Sequence, residues 1–172
     1  MKRLNFEIFE CSSYVGTHCG ENILKNEPYN QSSRWTPSTK SEEEIILKFE
    51  NISKIECIKF FKFYKIHNNN MKEFKISVGL NPKFMKNIYY GELKNNENEE
   101  YIELNNTKPI QYLKISPISS FKFDFNFIFF LKISLLVIHH YQGKEHLNFL
   151  LFLNLLFIKK VYFILKYLEK KI

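Results

Sequence analysis

The chain has 172 residues, 45% hydrophobic and 25% charged, enough for one packed domain plus a tail and too short for two well-packed domains. Disorder along the whole chain is excluded by the same balance. A formal net charge of +7 raises nucleic acid or an anionic surface as partners. No dense Lys/Arg run precedes the tail, however, and the Lys, Asn, Ile and Phe excess with no Ala resembles a coding bias, so nucleic-acid binding is not expected.

In chain order, the N-terminus MKRLNFEIFECSS carries positive charge but no apolar run, because Glu7 and Glu10 interrupt it, so no secretory signal is expected. Residues 11–43 are polar and irregular, with one helical turn conceivable at Glu21-Asn22-Ile23-Leu24. Glu44–Glu50 reads as a strand. Lys54–Ile66 reads as a longer one, with Ile58 and Phe60 on one face and Phe61 and Phe63 on the other, as in a central strand covered on both sides. His67-Asn68-Asn69-Asn70 is a turn, since Asn tolerates left-handed backbone. Lys72–Leu80 alternates, with Phe74, Ile76 and Val78 facing inward. Gly79 to Pro82 turns the chain, and Phe84–Leu93 fits either strand or helix. Glu100–Leu104 and Ile110–Ile115 are short strands. Short strands separated by turn signals favour an antiparallel sandwich.

Residues 128–172 change character: long apolar runs with Lys and few turn residues. Asn126–Ile138 holds Lys132, and Leu147–Ile158 is followed by Lys159-Lys160, so neither reaches the roughly 20 apolar residues of a membrane span. A membrane anchor, a genuine appended segment and a gene-model error all remain readings of this tail.

Three cysteines, Cys11, Cys19 and Cys57, leave at least one unpaired and form no CxxC, so a reducing compartment is the simpler reading. The cytoplasm is expected, with the nucleus as the second compartment. Sequons at Asn30, Asn51 and Asn105 are expected by chance in so Asn-rich a chain. No GxSxG, HExxH, P-loop or GxGxxG is present, and the Glu42-Glu43-Glu44 run reads as a solvated strand start. No enzyme activity, cofactor or metal site is expected; the pair His139-His140 would point in opposite directions in a strand.

The stretch Glu21-Asn22-Ile23-Leu24 through Gln31-Ser32-Ser33-Arg34-Trp35 resembles the muskelin N-terminal signature, PENIL…P-x-DQSSRW. Ser12-Ser13-Tyr14 upstream and Ile58 to His67 downstream are similar to further family segments, as are Met71–Ile76, Tyr112–Ile115 with Pro117, and Phe125–Phe127. Gly20 stands where the family has Pro, Asn30 where it has Asp, and Phe61 where it has Gly. The resemblance spans Leu4 to about Phe127. It implies an all-β, discoidin-like (galactose-binding-like) jelly-roll β-sandwich of about eight strands over residues 4–134, with a divergent hydrophobic, basic tail over 135–172 for which a helix is one reading. It also implies an adaptor's protein-interaction domain, self-association, and LisH/CTLH-type ubiquitin ligase subunits as partners. A carbohydrate- or lipid-binding module, or a protein anchored by its tail, are the alternatives.

Within this frame Trp35 is expected as a core plug rather than an exposed platform. Tyr14, Phe60, Phe63, Phe74 and Ile76 are expected as structural residues. Gln31, Arg34 and His67 are the candidate binding residues at the ends of loops. Arg34 is read as organising its loop before binding a partner, and His67 as making a structural hydrogen bond.

Overall fold

The computed structural model describes residues 4–25, 27, 29–30, 32–38, 42–62, 64–104 and 108–121. The tail from residue 122 onward therefore lies outside the described residues, as do Gln31, Phe63 and the further strand expected at Phe125.

The described residues form seven strands, β1 Phe6–Cys11, β2 Ile45–Ser53, β3 Cys57–Phe60, β4 Glu73–Asn81, β5 Phe84–Glu92, β6 Glu100–Glu103 and β7 Ile110–Pro117, with a short 3-10 helix at Gly20–Leu24. Five of them form one antiparallel sheet in the order β1-β2-β7-β4-β5, and β3 and β6 form a second. The order is non-sequential because β7 inserts between β2 and β4, pairing Ile45 with Ile115 on one side and Ile76 with Ile115 on the other.

The inward residues of the large sheet alternate with period two. Ile45, Leu47 and Phe49 on β2, Phe74, Ile76 and Val78 on β4, and Leu113 and Ile115 on β7 are all buried. Ile58, Phe60 and Ile102 from the small sheet complete the core. Across the two layers, the rings of Phe60 and Phe74 lie 5.0 Å apart in a tilted pair. Each such side chain taken fully from water contributes about 1.5–3 kcal/mol.

Four sequence readings change here. The strand read over Lys54–Ile66 contracts to Cys57–Phe60, and among the described strands it pairs with β6 alone, so it is not central. The chain leaves the sheet at Lys62, whose ammonium donates to the Lys94 carbonyl at 3.0 Å and to Asn96 Oδ1 at 2.5 Å and pairs with Glu100. Phe84–Glu92 is a strand, closed onto β4 by a tight turn. β1, for which the sequence reading named no strand, carries Phe6 and Ile8 against the core. Finally, Glu43 is not solvated; it is 2% exposed.

Candidate functional site at the loop end

The sheet register sorts the connections between two ends. Cys11 pairs with Ile45, Ile45 with Ile115, and Ile115 with Ile76. The segments 12–44, 61–72, 93–99 and 118–121 thus leave the strands at one end, and the β4–β5 turn lies at the other.

At the loop end the long segment from Cys11 to Ile45 is closed on itself by a buried carboxylate. Ser12 and Ser13 donate their hydroxyls to Glu43, the latter at 2.8 Å. Ser12 Oγ in turn accepts the Glu44 N–H at 3.0 Å, and Ser13 Oγ accepts the Ser38 N–H at 2.9 Å. The Trp35 indole N–H donates to the Ser13 carbonyl at 2.7 Å, and its ring is wholly buried. A fully buried carboxylate is costly unless its oxygens accept hydrogen bonds. The two adjacent serines serve that need, and they tie the start of the loop to its end.

A second knot is built on Asn22. Its amide donates to the carbonyls of Thr17 at 2.6 Å and Arg34 at 3.2 Å, and its oxygen accepts from Lys25 at 3.0 Å. The Thr36 N–H donates to the His18 carbonyl at 3.0 Å, and the Val15 N–H to the Thr36 carbonyl at 2.9 Å. Ser33 donates to the Glu27 carbonyl at 2.6 Å, and the Ser32 N–H reaches Asn30 Oδ1 at 2.9 Å, an Asx turn. The described residues between Asn22 and Trp35 therefore form a hydrogen-bonded loop that carries Arg34.

Arg34 lies close enough to His18 and His67 to act on both imidazoles. Burial draws its guanidinium somewhat below the ordinary arginine value without removing its charge. The same guanidinium and partial burial hold both His18 and His67 below the usual histidine value of 6.5, with burial the larger cause in each. The two imidazoles are thus biased toward the neutral form beside a permanent cation. His67 Nδ1 accepts the Asn69 N–H at 3.0 Å, so in the neutral ring the proton sits on Nε2. His18 Nδ1 and Thr36 Oγ1 are buried and meet no hydrogen-bond partner among the described residues. Tyr29, 78% exposed, stands with its ring 5.2 Å from that of Tyr64. Lys65 Nζ lies 5.2 Å from the Tyr64 ring centre.

The expected site residues thus separate. Arg34 and His67 come together from two different loops. Gln31 and Phe63 lie outside the described residues. Trp35, Phe60, Phe74 and Ile76 are each 0% exposed, whereas Tyr14 is 54% exposed and lies at the surface of the loop end rather than in the core. The loop leaves β1 at Ser12-Ser13, and it is the two serines, not the tyrosine, that meet the buried Glu43. Four site-building residues had no separate signal in the sequence: Glu43, His18, Asn22 and Tyr29. Among the described residues no three His, Cys, Asp or Glu side chains converge as metal ligands.

The two-layer antiparallel sandwich has the fold of discoidin-like jelly-roll domains. CBM32-3 from a family 31 glycoside hydrolase of Clostridium perfringens superimposes with a TM-score of 0.67 at 16% identity, covering 77% of this chain and 91% of that one. XRCC1, in its complex with the DNA pol beta catalytic domain, superimposes with a TM-score of 0.57 at 16% identity, covering 80% and 100%. The family model described as "Muskelin N-terminus" matches residues 1–171, and the chain belongs to that family. It is 29% identical over 140 residues to Mei4-dependent protein 6 of Schizosaccharomyces pombe, covering 73% of this chain and 20% of that protein. The chain therefore spans about a fifth of that relative's length.

Proposed function

We propose that this domain is a non-catalytic protein-interaction module of a muskelin-like adaptor and that it engages its partner through the loop end. The reading is carried by Arg34 and His67, which come together from two loops, and by the exposed Tyr29 ring paired with the half-buried Tyr64, with the Arg34 loop held by the Glu43 and Asn22 networks. Tyr and Arg are the side chains that dominate binding energy at protein interfaces, and a preorganised loop loses little entropy on binding. The adaptor would serve a CTLH-type ubiquitin ligase assembly, with LisH/CTLH-type subunits as partners and self-association as a further contact, in the cytoplasm or nucleus. Membership of the muskelin N-terminus family supports this role.

Affinity purification of the tagged chain followed by mass spectrometry tests the assignment. Recovery of LisH/CTLH-type subunits by the native chain, and their loss with Tyr29→Ala/Arg34→Ala, is the expected result. Equal recovery by both chains, or none by either, would refute it.

A sugar ligand is the second reading. The open face of Tyr29, on the same loop as Arg34, suits a pyranose ring, which has one apolar face and a rim of hydroxyls. Chemical-shift changes confined to residues 29–36 and 64–67 on adding galactose at millimolar concentration would select it over the first reading.

A further inference from the structure

The end of the sandwich opposite the loops carries a different kind of surface. β4 and β5 meet in a tight turn at Pro82-Lys83, held by the Lys83 N–H donating to Asn81 Oδ1 at 2.9 Å. The strands come so close there that a Cβ on Gly79 would lie 2.7 Å from the Phe84 carbonyl oxygen, so Gly79 keeps the hairpin tight. Two large apolar side chains protrude from this tip, Phe84 at 80% and Leu80 at 52% exposure. Residues 74–91 contain Lys75, Lys83 and Lys86 and no Asp or Glu. Of the acids on neighbouring strands and turns, Glu7 is paired with Lys48 and Glu56 with Lys54, while Glu50 on β2 and Glu103 on β6 are exposed.

The tip is poorly suited to the usual protein partners. Strand addition along β5 is opposed by its bulge at Ile88, where Ile76 pairs with Tyr89 but Ser77 pairs with Asn87, and by Lys86 on the edge. A narrow protrusion with an apolar apex and ammonium groups just behind it fits a surface that yields to the apex and supplies diffuse negative charge.

We propose that the β4–β5 hairpin docks on an anionic membrane surface, with Phe84 and Leu80 entering the headgroup boundary and Lys83 and Lys86 lying against acidic lipid. This placement does not depend on the loop-end reading. It leaves the loops facing away from the bilayer and accessible to a second partner.

The test is flotation of the 172-residue chain with vesicles of phosphatidylcholine alone or with about 30% phosphatidylserine. The native chain should partition at least tenfold more strongly onto the anionic vesicles. Phe84→Ser should lower that partition about tenfold, the lower end of what burying a phenyl side chain contributes. Lys83→Glu/Lys86→Glu should lower it about 25-fold or more, at roughly fivefold for each lysine lost from the field of acidic lipid. Tyr101→Ser, which removes a ring 51% exposed on β6, should leave it unchanged. The double charge reversal keeps the test valid if Phe84→Ser disturbs folding, which its urea midpoint would reveal. Equal binding to both vesicle types, or binding unaffected by the hairpin variants, would overturn the proposal. So would hairpin-dependent binding to a protein with no partition onto vesicles, which would reassign the tip to that protein.

Discussion

At the loop end the largest aromatic side chain, Trp35, is 0% exposed and its N–H is satisfied by Ser13, while at the hairpin end Phe84 is 80% exposed. The loops spend hydrogen bonds from Ser12, Ser13, Asn22, Ser33 and Glu43 to hold an irregular backbone in one shape. The hairpin needs only strand pairing and one Asx turn. Irregular backbone lacks a ladder partner and must recruit side chains to satisfy its polar groups. Sequence changes should therefore act on folding at the loop end and on surface properties at the hairpin.

The largest expected effect is at Trp35. Trp35→Ala should cost about 3–5 kcal/mol, a large share of a typical domain's 5–15 kcal/mol, and urea unfolding followed by circular dichroism would read it as a collapsed or lost transition. Glu43→Ala comes next. It strips Ser12 and Ser13 of their acceptor and should cost about 1–3 kcal/mol, whereas Phe84→Ser should change the urea midpoint by less than about 0.5 kcal/mol. A Glu43→Ala chain as stable as the native one would show that the serine–carboxylate clamp contributes nothing to the fold.

A smaller effect is expected from pH. His18 and His67 have folded-state values below their ordinary 6.5, so the unfolded chain binds their protons more readily. Their contribution to stability is complete above about pH 6.5 and is lost as pH falls through the depressed folded values. The melting temperature should drop between pH 7.5 and 5.5, and His18→Gln/His67→Gln should flatten that drop. A double variant with an undiminished slope would remove Arg34 and its two histidines as the source. Smallest of all, Tyr29→Ala should leave the urea midpoint within about 0.5 kcal/mol, because the ring is 78% exposed.

The sandwich was legible where alternation is clean. Phe74, Ile76 and Val78 on β4 read as inward residues and are buried. β1 was missed because Glu7 and Glu10 break the run of apolar residues, although Phe6 and Ile8 keep the period of two that places them on the core. Lys54–Ile66 misled in the other direction. Its Phe and Tyr content looks like one strand, but Lys62 is drawn out of the sheet toward Lys94, Asn96 and Glu100, contacts 32–38 residues away that no local pattern encodes. The site was half legible for the same reason. Arg34 and His67 were marked by their places at loop ends, while Glu43 was hidden in a run of three acids that composition assigns to solvent.

Hydrogen exchange on the chain, free and bound to the partner it recovers, tests the central claim most directly. The account predicts added protection over residues 29–36 and 64–67, with the β4–β5 hairpin at 79–86 unchanged. Protection confined to the hairpin, with the loop end exchanging as in the free chain, would contradict it.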